Sequence, residues 1–288
     1  MAQIEIGLGK TARRGYGLEE VSIVPSRRTR DADEVDTSWQ LDAFLFEVPL
    51  VTVGAPEIEG GLSVVDAAHF QLPDGSFDAE ALATTIGAIN ETGAVSAVSV
   101  RPQRAEHLIS ALGRIELDLL MIRGRVVSAE HVSQSREPLN LKRTVRQLEV
   151  PVIVGSCSSY QAALHLMRTG AAGVIVGSDP ASQGVGVPLA TAIADARAAR
   201  MRHLDETGVY VHLIASVPVR SGGDVAKAIV CGADAVLIES TQGQASIERP
   251  PATDGPVATV IGDLRRSMAT CGYESVKEFQ SADLVVIA

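Results

Sequence analysis

The chain has 288 residues, 46% of them apolar and 21% charged, enough for one large core or two modest ones. A formal net charge of −10 argues against a general binder of nucleic acid or of anionic membranes. Aromatic residues are only 3% of the chain, so the interior must be packed from Val, Ala, Leu and Ile.

The sign of the charge reverses at the start. Lys10, Arg13, Arg14, Arg27, Arg28 and Arg30 make a basic segment, read as a solvated or interface-facing arm rather than a nucleic-acid site. Cys157, Cys231 and Cys271 are far apart without metal-ligand spacing, and a sparse, odd count fits a reducing cytoplasm. No apolar run has the form of a secretion signal or the length of a membrane span, and no metal motif or phosphate loop is present. The expectation is a cytoplasmic protein without membrane, nucleic-acid or metal partners.

Residues 1–47 read as a polar, irregular arm that packs on the following domain through Trp39, Phe44 and Phe46. From Val48 a rhythm begins. Short apolar runs recur at Val48–Val53, Leu62–Val65, Val95–Val100, Leu117–Ile122, Val152–Gly155, Ala172–Gly177, Val209–Ala215 and Ala235–Ile238. Continuous rather than alternating apolar residues mark strands buried on both faces, hence a parallel sheet. Helical patterns fall between most of them, at Asp78–Asn90, Gln103–Leu112, Asn140–Leu148, Ser159–Arg168, Pro188–Asp205 and Gly223–Val230, and Val257–Ala269 follows the last strand. Asp78 is placed to cap its helix, Pro188 to stand in a first turn, and Gly170 to end the preceding helix. Eight strands with intervening helices predict an α/β fold, a (β/α)8 barrel over residues 48–288.

One connection breaks the rhythm. Only residues 54–61 separate the first two runs, too few for a helix and two turns, so the first helix is expected to be missing. Residues 239–256 form a polar stretch with Pro250, Pro251 and Pro256, read as a flexible excursion at the barrel mouth.

Such barrels mount their chemistry on the loops after the strands. The strand-end positions here hold Asp66, His69, Arg101, Arg123, Arg125, Ser156, Asp179, Ser216, Arg220, Glu239 and Ser240. Arginine binds carboxylates and phosphates with a planar fork, so Arg101, Arg123, Arg125 and Arg220, with Ser216, could form a pocket for a small anionic ligand. Equally, the arginines could pair with Asp66, Asp179 and Glu239 and close the mouth. His69 could serve as a general base and Asp179 with Glu239 as an acid–base pair, against the plainer reading of structural polar residues.

Several runs carry a resemblance. Gly9–Arg14, Leu18–Arg30, Leu164–Gly177, Gly184–Asp195, Asp263–Tyr273 and Lys277–Gln280 resemble the IMP dehydrogenase/GMP reductase superfamily, nearest to the short actinobacterial IMP dehydrogenase-related proteins without inserted CBS domains. The resemblance implies a TIM barrel assembled as a homo-oligomer, usually a tetramer. It also implies a loop cysteine after strand six that attacks the purine, with hydride passing to NAD.

Measured against that implied chemistry, the chain departs at five places. Between Gly177 and Gly184 stand only residues 178–183, without a thiol. Where the family has Asp-Gly-Gly after strand seven for ribose and phosphate, this chain has Ser216, Val217 and Pro218. Arg123 stands where the dehydrogenases place an aspartate on the cofactor side. The flap with its water-activating pair is absent, and so is the first helix. These departures predict a barrel with a shortened mouth loop and flap, no NAD cofactor and no NAD-dependent IMP oxidation. The function expected is that of a pseudoenzyme, a partner or regulatory subunit assembling with itself or with a homologue. The other reading is an enzyme repurposed for an anionic substrate.

Overall fold

The computed structural model describes residues 3–54, 58–113, 115–135, 137–177, 184–238 and 256–287. Eight parallel strands close into a barrel: β1 (Leu50–Val53), β2 (Leu62–Asp66), β3 (Ala97–Val100), β4 (Leu119–Arg123), β5 (Val152–Cys157), β6 (Gly173–Val176), β7 (His212–Val217) and β8 (Ala235–Ile238). Each pairs with its sequence neighbours, and β8 pairs with β1, so no edge is left open. The eight predicted runs are these eight strands, several shifted by two or three residues. At one shifted start the Asp118 carboxylate accepts from the Ser96 backbone and hydroxyl, joining two residues just ahead of β3 and β4.

Around the barrel lie α1 (Ala79–Thr92), α2 (Ala105–Leu112), α3 (Leu141–Gln147), α4 (Tyr160–Met167), α5 (Leu189–Thr207), α6 (Gly222–Cys231), α7 (Pro256–Thr270) and a short α8 (Val276–Phe279). Asp78, Asn140 and Ser159 cap α1, α3 and α4, each side-chain oxygen accepting from a backbone N–H three residues on. Two predicted boundaries move. Pro188 is the residue before the first turn of α5 rather than within it. α4 ends at Met167, and Gly170 lies beyond it in a turn at φ +99°. Between β1 and β2 no helix occurs among the described residues, as the short spacing required; Gly61 N–H closes a turn onto the Ile58 carbonyl instead. Among the described residues no helix is long and apolar enough to cross a membrane.

The core has two compartments, which accounts for the doubly apolar strands. Val51, Val53, Leu62, Met121, Ile153, Ile175, Ile214 and Leu237 fill the barrel interior, while their neighbours, such as Leu120, Val154, Val174 and Leu213, face the helices. Residues 3–47 are less irregular than their composition predicts. Trp39–Leu41 and Phe44–Phe46 form a hairpin whose Trp39, Leu41 and Phe46 join the interior cluster and plug the N-terminal end of the barrel. Trp39 stacks on Phe46 at 5.1 Å and donates from Nε1 to the Val48 carbonyl. Period-2 alternation over three residues is too short to stand out in a sequence, and only the barrel gives these aromatics something to fill.

On the same N-terminal face a buried polar network ties the last segment down. Arg200 of α5, 2% exposed, donates to Asp234 at 2.7 Å, and Asp234 also accepts from Tyr210 Oη, the Leu213 amide and Gln280. Every oxygen of that carboxylate is used, which is what a charge in so dry a place requires.

Candidate functional site

The C-terminal ends of β1–β8 form the opposite face. At its β2–β4 side three residues converge. Arg123, last residue of β4, donates from Nε to Ser99 Oγ of β3 at 3.1 Å and reaches Asp66 of β2, Nη2 to Oδ2, at 3.7 Å. Asp66 is doubly engaged, since its other oxygen accepts from the Ala68 amide and caps the short 3-10 turn Ala67–Phe70. His69 is exposed at the end of that turn, beside Gly54 at the end of β1. Of the predicted residues, then, Asp66 and Arg123 meet.

The β5–β7 side is filled. Gly155 has φ +151° and lies so close to β6 that a Cβ would sit 2.6 Å from the Ile175 carbonyl. Ser216 of β7 is 6% exposed and packs on Gly177, where an added Cβ would be 2.7 Å away. Cys157, at the end of β5, is buried, and burial pushes its thiol up to about 12. Burial likewise raises Cys231 to about 12 and raises Cys271. None of the three can supply a thiolate near neutral pH.

After β7 the chain satisfies itself. Arg220 donates from its amide, Nε and Nη2 to the Asp224 carboxylate, at 3.0, 3.3 and 3.2 Å. Asp224 sits in the first turn of α6, so the chain's own carboxylate takes the favourable electrostatic position that a ligand phosphate would want. Pro218 has no N–H to add. Arg101 and Arg125 are exposed and have no ion-pair partner among the described residues. Arg123 and Arg220 are thus taken up by different carboxylates, Asp66 and Asp224. Asp179, Glu239 and Ser240 lie outside the described residues, as do the shortened mouth loop and the place of the flap.

Sequence reasoning passed over a cavity on this rim. A space of about 280 Å³ lies between the start of α2 and the loop after β4, with Gln103, His107, Ser128, His131 and Glu137 over a floor including Val127 and Leu141. Its signal was two histidines in segments that follow β3 and β4. Ser99 could also have been found, as one hydroxyl in the apolar run of β3, and Asp224 by its four-residue spacing from Arg220. No group of three or more His, Cys, Asp or Glu converges as a metal site among the described residues.

The arrangement of strands, mouth and arm can now be compared with known proteins. Residues 84–253 match the IMP dehydrogenase / GMP reductase domain. The chain belongs to the IMP dehydrogenase/GMP reductase family. It is 39% identical to an uncharacterized oxidoreductase of Mycolicibacterium smegmatis, in an alignment covering 98% of this chain and 99% of that protein. The crystal structure of an IMP dehydrogenase/GMP reductase-like protein from Corynebacterium glutamicum superposes with a TM-score of 0.84 at 33% identity, over 99% of this chain and 98% of that one. The inosine-5′-monophosphate dehydrogenase of Haemophilus influenzae is 36% identical over 142 residues, 47% of this chain and 27% of that protein.

The Mycolicibacterium alignment runs over 372 positions while this chain has 288 residues. Roughly 90 positions therefore hold residues of the relative opposite none here, the kind of difference that loops absorb while the elements they connect persist.

At the end of β4 the family's acceptor is replaced by a donor. Arg123 carries five donors and no acceptor where the dehydrogenases place an aspartate on the cofactor side, and its guanidinium is already held by Ser99 and Asp66. Arg123 itself does not fit the acceptor role that this aspartate would play toward a nicotinamide nucleotide.

Proposed function

We propose that this chain keeps the family barrel without NAD-dependent oxidation of IMP and acts as a partner or regulatory subunit, assembling with itself or with a homologue. The observation that carries the reading is Cys157. It is the cysteine at the barrel mouth, yet it is buried and its thiol is pushed up to about 12. Covalent attack on a purine needs an exposed thiolate. The self-paired Arg220 and Asp224 at α6, and the guanidinium of Arg123 in place of an acceptor, support the same reading. So does the internal shortening, which leaves the barrel strands whole. The experiment is to incubate the purified protein with IMP and NAD and follow NADH. No formation above background is expected, and robust turnover would overturn the proposal. Affinity capture of a catalytic homologue from the same cell would give the partner role its second party.

The rim cavity favours a second reading, a barrel repurposed for another small molecule. Its volume of about 280 Å³ and its lining of His107, His131, Glu106 and Glu137, with exposed Arg101 and Arg125 next in sequence to lining residues, would suit a small polar molecule whose anionic group the arginines receive. Thermal-shift measurements with IMP, XMP, GMP and small carboxylates separate the two readings. A ligand at 100 times its Kd should add about 2.7 kcal/mol of stability.

A further inference from the structure

Residues 124–140 carry the chain from β4 to α3 without a helix or strand among the described residues. A connection longer than about 12–15 residues with no element of its own is uncommon in a compact domain and is usually functional. This one forms one wall of the rim cavity, and α2 with the turn before it forms the other. The floor is dry: Val127 is 4% and Leu141 2% exposed, and Pro102, Pro138 and Leu139 extend the apolar surface. The polar walls are open to solvent. Glu106 and His107 stand on α2, His131 and Glu137 on the loop, and all four are exposed.

Among the described lining residues there are two carboxylates and no Lys or Arg. Glu106 has one distant partner, its Oε1 lying 3.8 Å from Arg143 Nη2, with the side chains 62% and 57% exposed, a contact that water screens. Ser128 Oγ donates to the Glu130 carbonyl at 2.7 Å, which leaves that oxygen able only to accept. The lining is thus negative and rich in acceptors. At one end the charge reverses. Gly124 lies against both walls, since a Cβ there would sit 3.7 Å from Pro102 and 3.6 Å from Val127. Arg101 precedes Pro102 and Arg125 precedes Val126, so both guanidinium stems start at that end. Both arginines are exposed and have no ion-pair partner among the described residues.

We propose, building on the second reading above, that the rim cavity binds a small α-amino acid with an apolar side chain. Glu106 and Glu137 receive its ammonium, Arg101 and Arg125 at the lip receive its carboxylate, and its side chain lies on Val127 and Leu141. An ammonium brings three donors to a wall of acceptors, and a carboxylate fits the planar fork of a guanidinium. A volume of about 280 Å³ is the liquid share of roughly nine waters, room for on the order of ten non-hydrogen atoms. Asp66, Ser99, Arg123 and Ser216 at the strand ends are not among the lining residues, so the cavity is separate from the mouth cluster.

Isothermal titration calorimetry on the full chain tests it with three probes of one carbon skeleton: leucine, isopentylamine, which lacks the carboxylate, and 4-methylpentanoate, which lacks the amine. Leucine should bind about tenfold or more tightly than either, because each loses one charged hydrogen-bonding group. Glu137→Gln and Arg125→Gln should each weaken leucine binding by about tenfold or more. Both side chains are exposed, so these variants should keep the wild-type melting temperature. Arg220→Gln, on the β7 side of the mouth, should leave leucine binding unchanged. A loss there would put the ligand in the mouth and overturn the proposal, as would a Glu137 or Arg125 variant with wild-type affinity. Isopentylamine binding as tightly as leucine overturns it too. If 4-methylpentanoate matches leucine, the second reading stands and this narrower one falls. If none of the three binds, this one falls by itself, and the thermal-shift series with nucleotides and carboxylates decides the second reading.

Discussion

Arg123 at the end of β4 reaches across to Asp66 at the end of β2, Nη2 to Oδ2 at 3.7 Å, with Ser99 of β3 accepting from its Nε on the way. The side chains are 36% and 28% exposed, so the pair is screened and contributes about 0–1 kcal/mol. Arg123→Ala should cost less than about 1 kcal/mol in urea unfolding while uncovering the mouth. A loss above about 3 kcal/mol would mean the pair behaves as a buried, structural bridge instead.

The cysteines give a chemical check. With thiols raised by burial, native protein at neutral pH should react slowly with an aromatic disulfide reagent, and all three thiols should appear only on unfolding. Rapid labelling of Cys157 in the native state would contradict its burial and revive a nucleophilic role.

The network at the N-terminal face should dominate the stability map. Removing the carboxylate in Asp234→Ala leaves Arg200 charged in a place where its side chain is only 3% exposed. The expected cost is about 3–5 kcal/mol, measured by chemical denaturation. Tyr210→Phe removes one hydrogen bond to the same carboxylate and should cost about 1 kcal/mol.

Trp39 is the only tryptophan, and it closes the barrel floor. Trp39→Ala should destabilise by about 3–5 kcal/mol through lost burial and a residual cavity. In the wild type its emission should be blue-shifted and should move red in a single transition with the loss of helical circular dichroism. Two separate transitions would show the plug to be independent of the barrel.

Stability should fall on the acid side. Burial lowers the pKa of His212, which packs against Trp39 and Tyr210, and burial also lowers that of His203, with the Arg168 charge acting in the same direction. The unfolded chain therefore takes up protons near pH 6.5 that the native state refuses. The histidine contribution is at its full value above pH 6.5 and is lost as the pH drops below it. Melting temperature followed from about pH 8 to pH 5 should decline, and the decline should be shallower in His212→Gln.

Much of this was legible in the chain itself. The eight apolar runs, the caps at Asp78, Asn140 and Ser159, and the absence of room for a helix between β1 and β2 all rest on local physics. A strand buried on both faces must be apolar throughout, and eight residues cannot hold a crossover helix. The family was legible too, through runs such as Leu164–Gly177.

The mouth was legible only as a set of residue types. The spacing of Arg101, Arg123, Arg125 and Arg220 could not say which carboxylate each would meet. Arg123 finds Asp66, one of the two alternatives, but Arg220 turns to Asp224 in the first turn of the helix that follows it, and Arg101 and Arg125 have no ion-pair partner among the described residues. Ion pairs depend on distances of a few ångströms across strands far apart in sequence, which closure of the barrel sets. The same holds for the hairpins of the arm and for the Arg200–Asp234 network, whose members stand 34 residues apart.

By itself, then, the sequence determined the strand–helix order, the parallel barrel and the lack of room for a helix after β1, because periodicity and spacing are properties of adjacent residues. Only the tertiary structure decided how deeply Cys157 is buried at the end of β5, and that Asp224 takes up Arg220 at the start of α6. Each of these is a matter of what lies within a few ångströms once the chain has closed, and that is fixed by packing among elements distant in sequence.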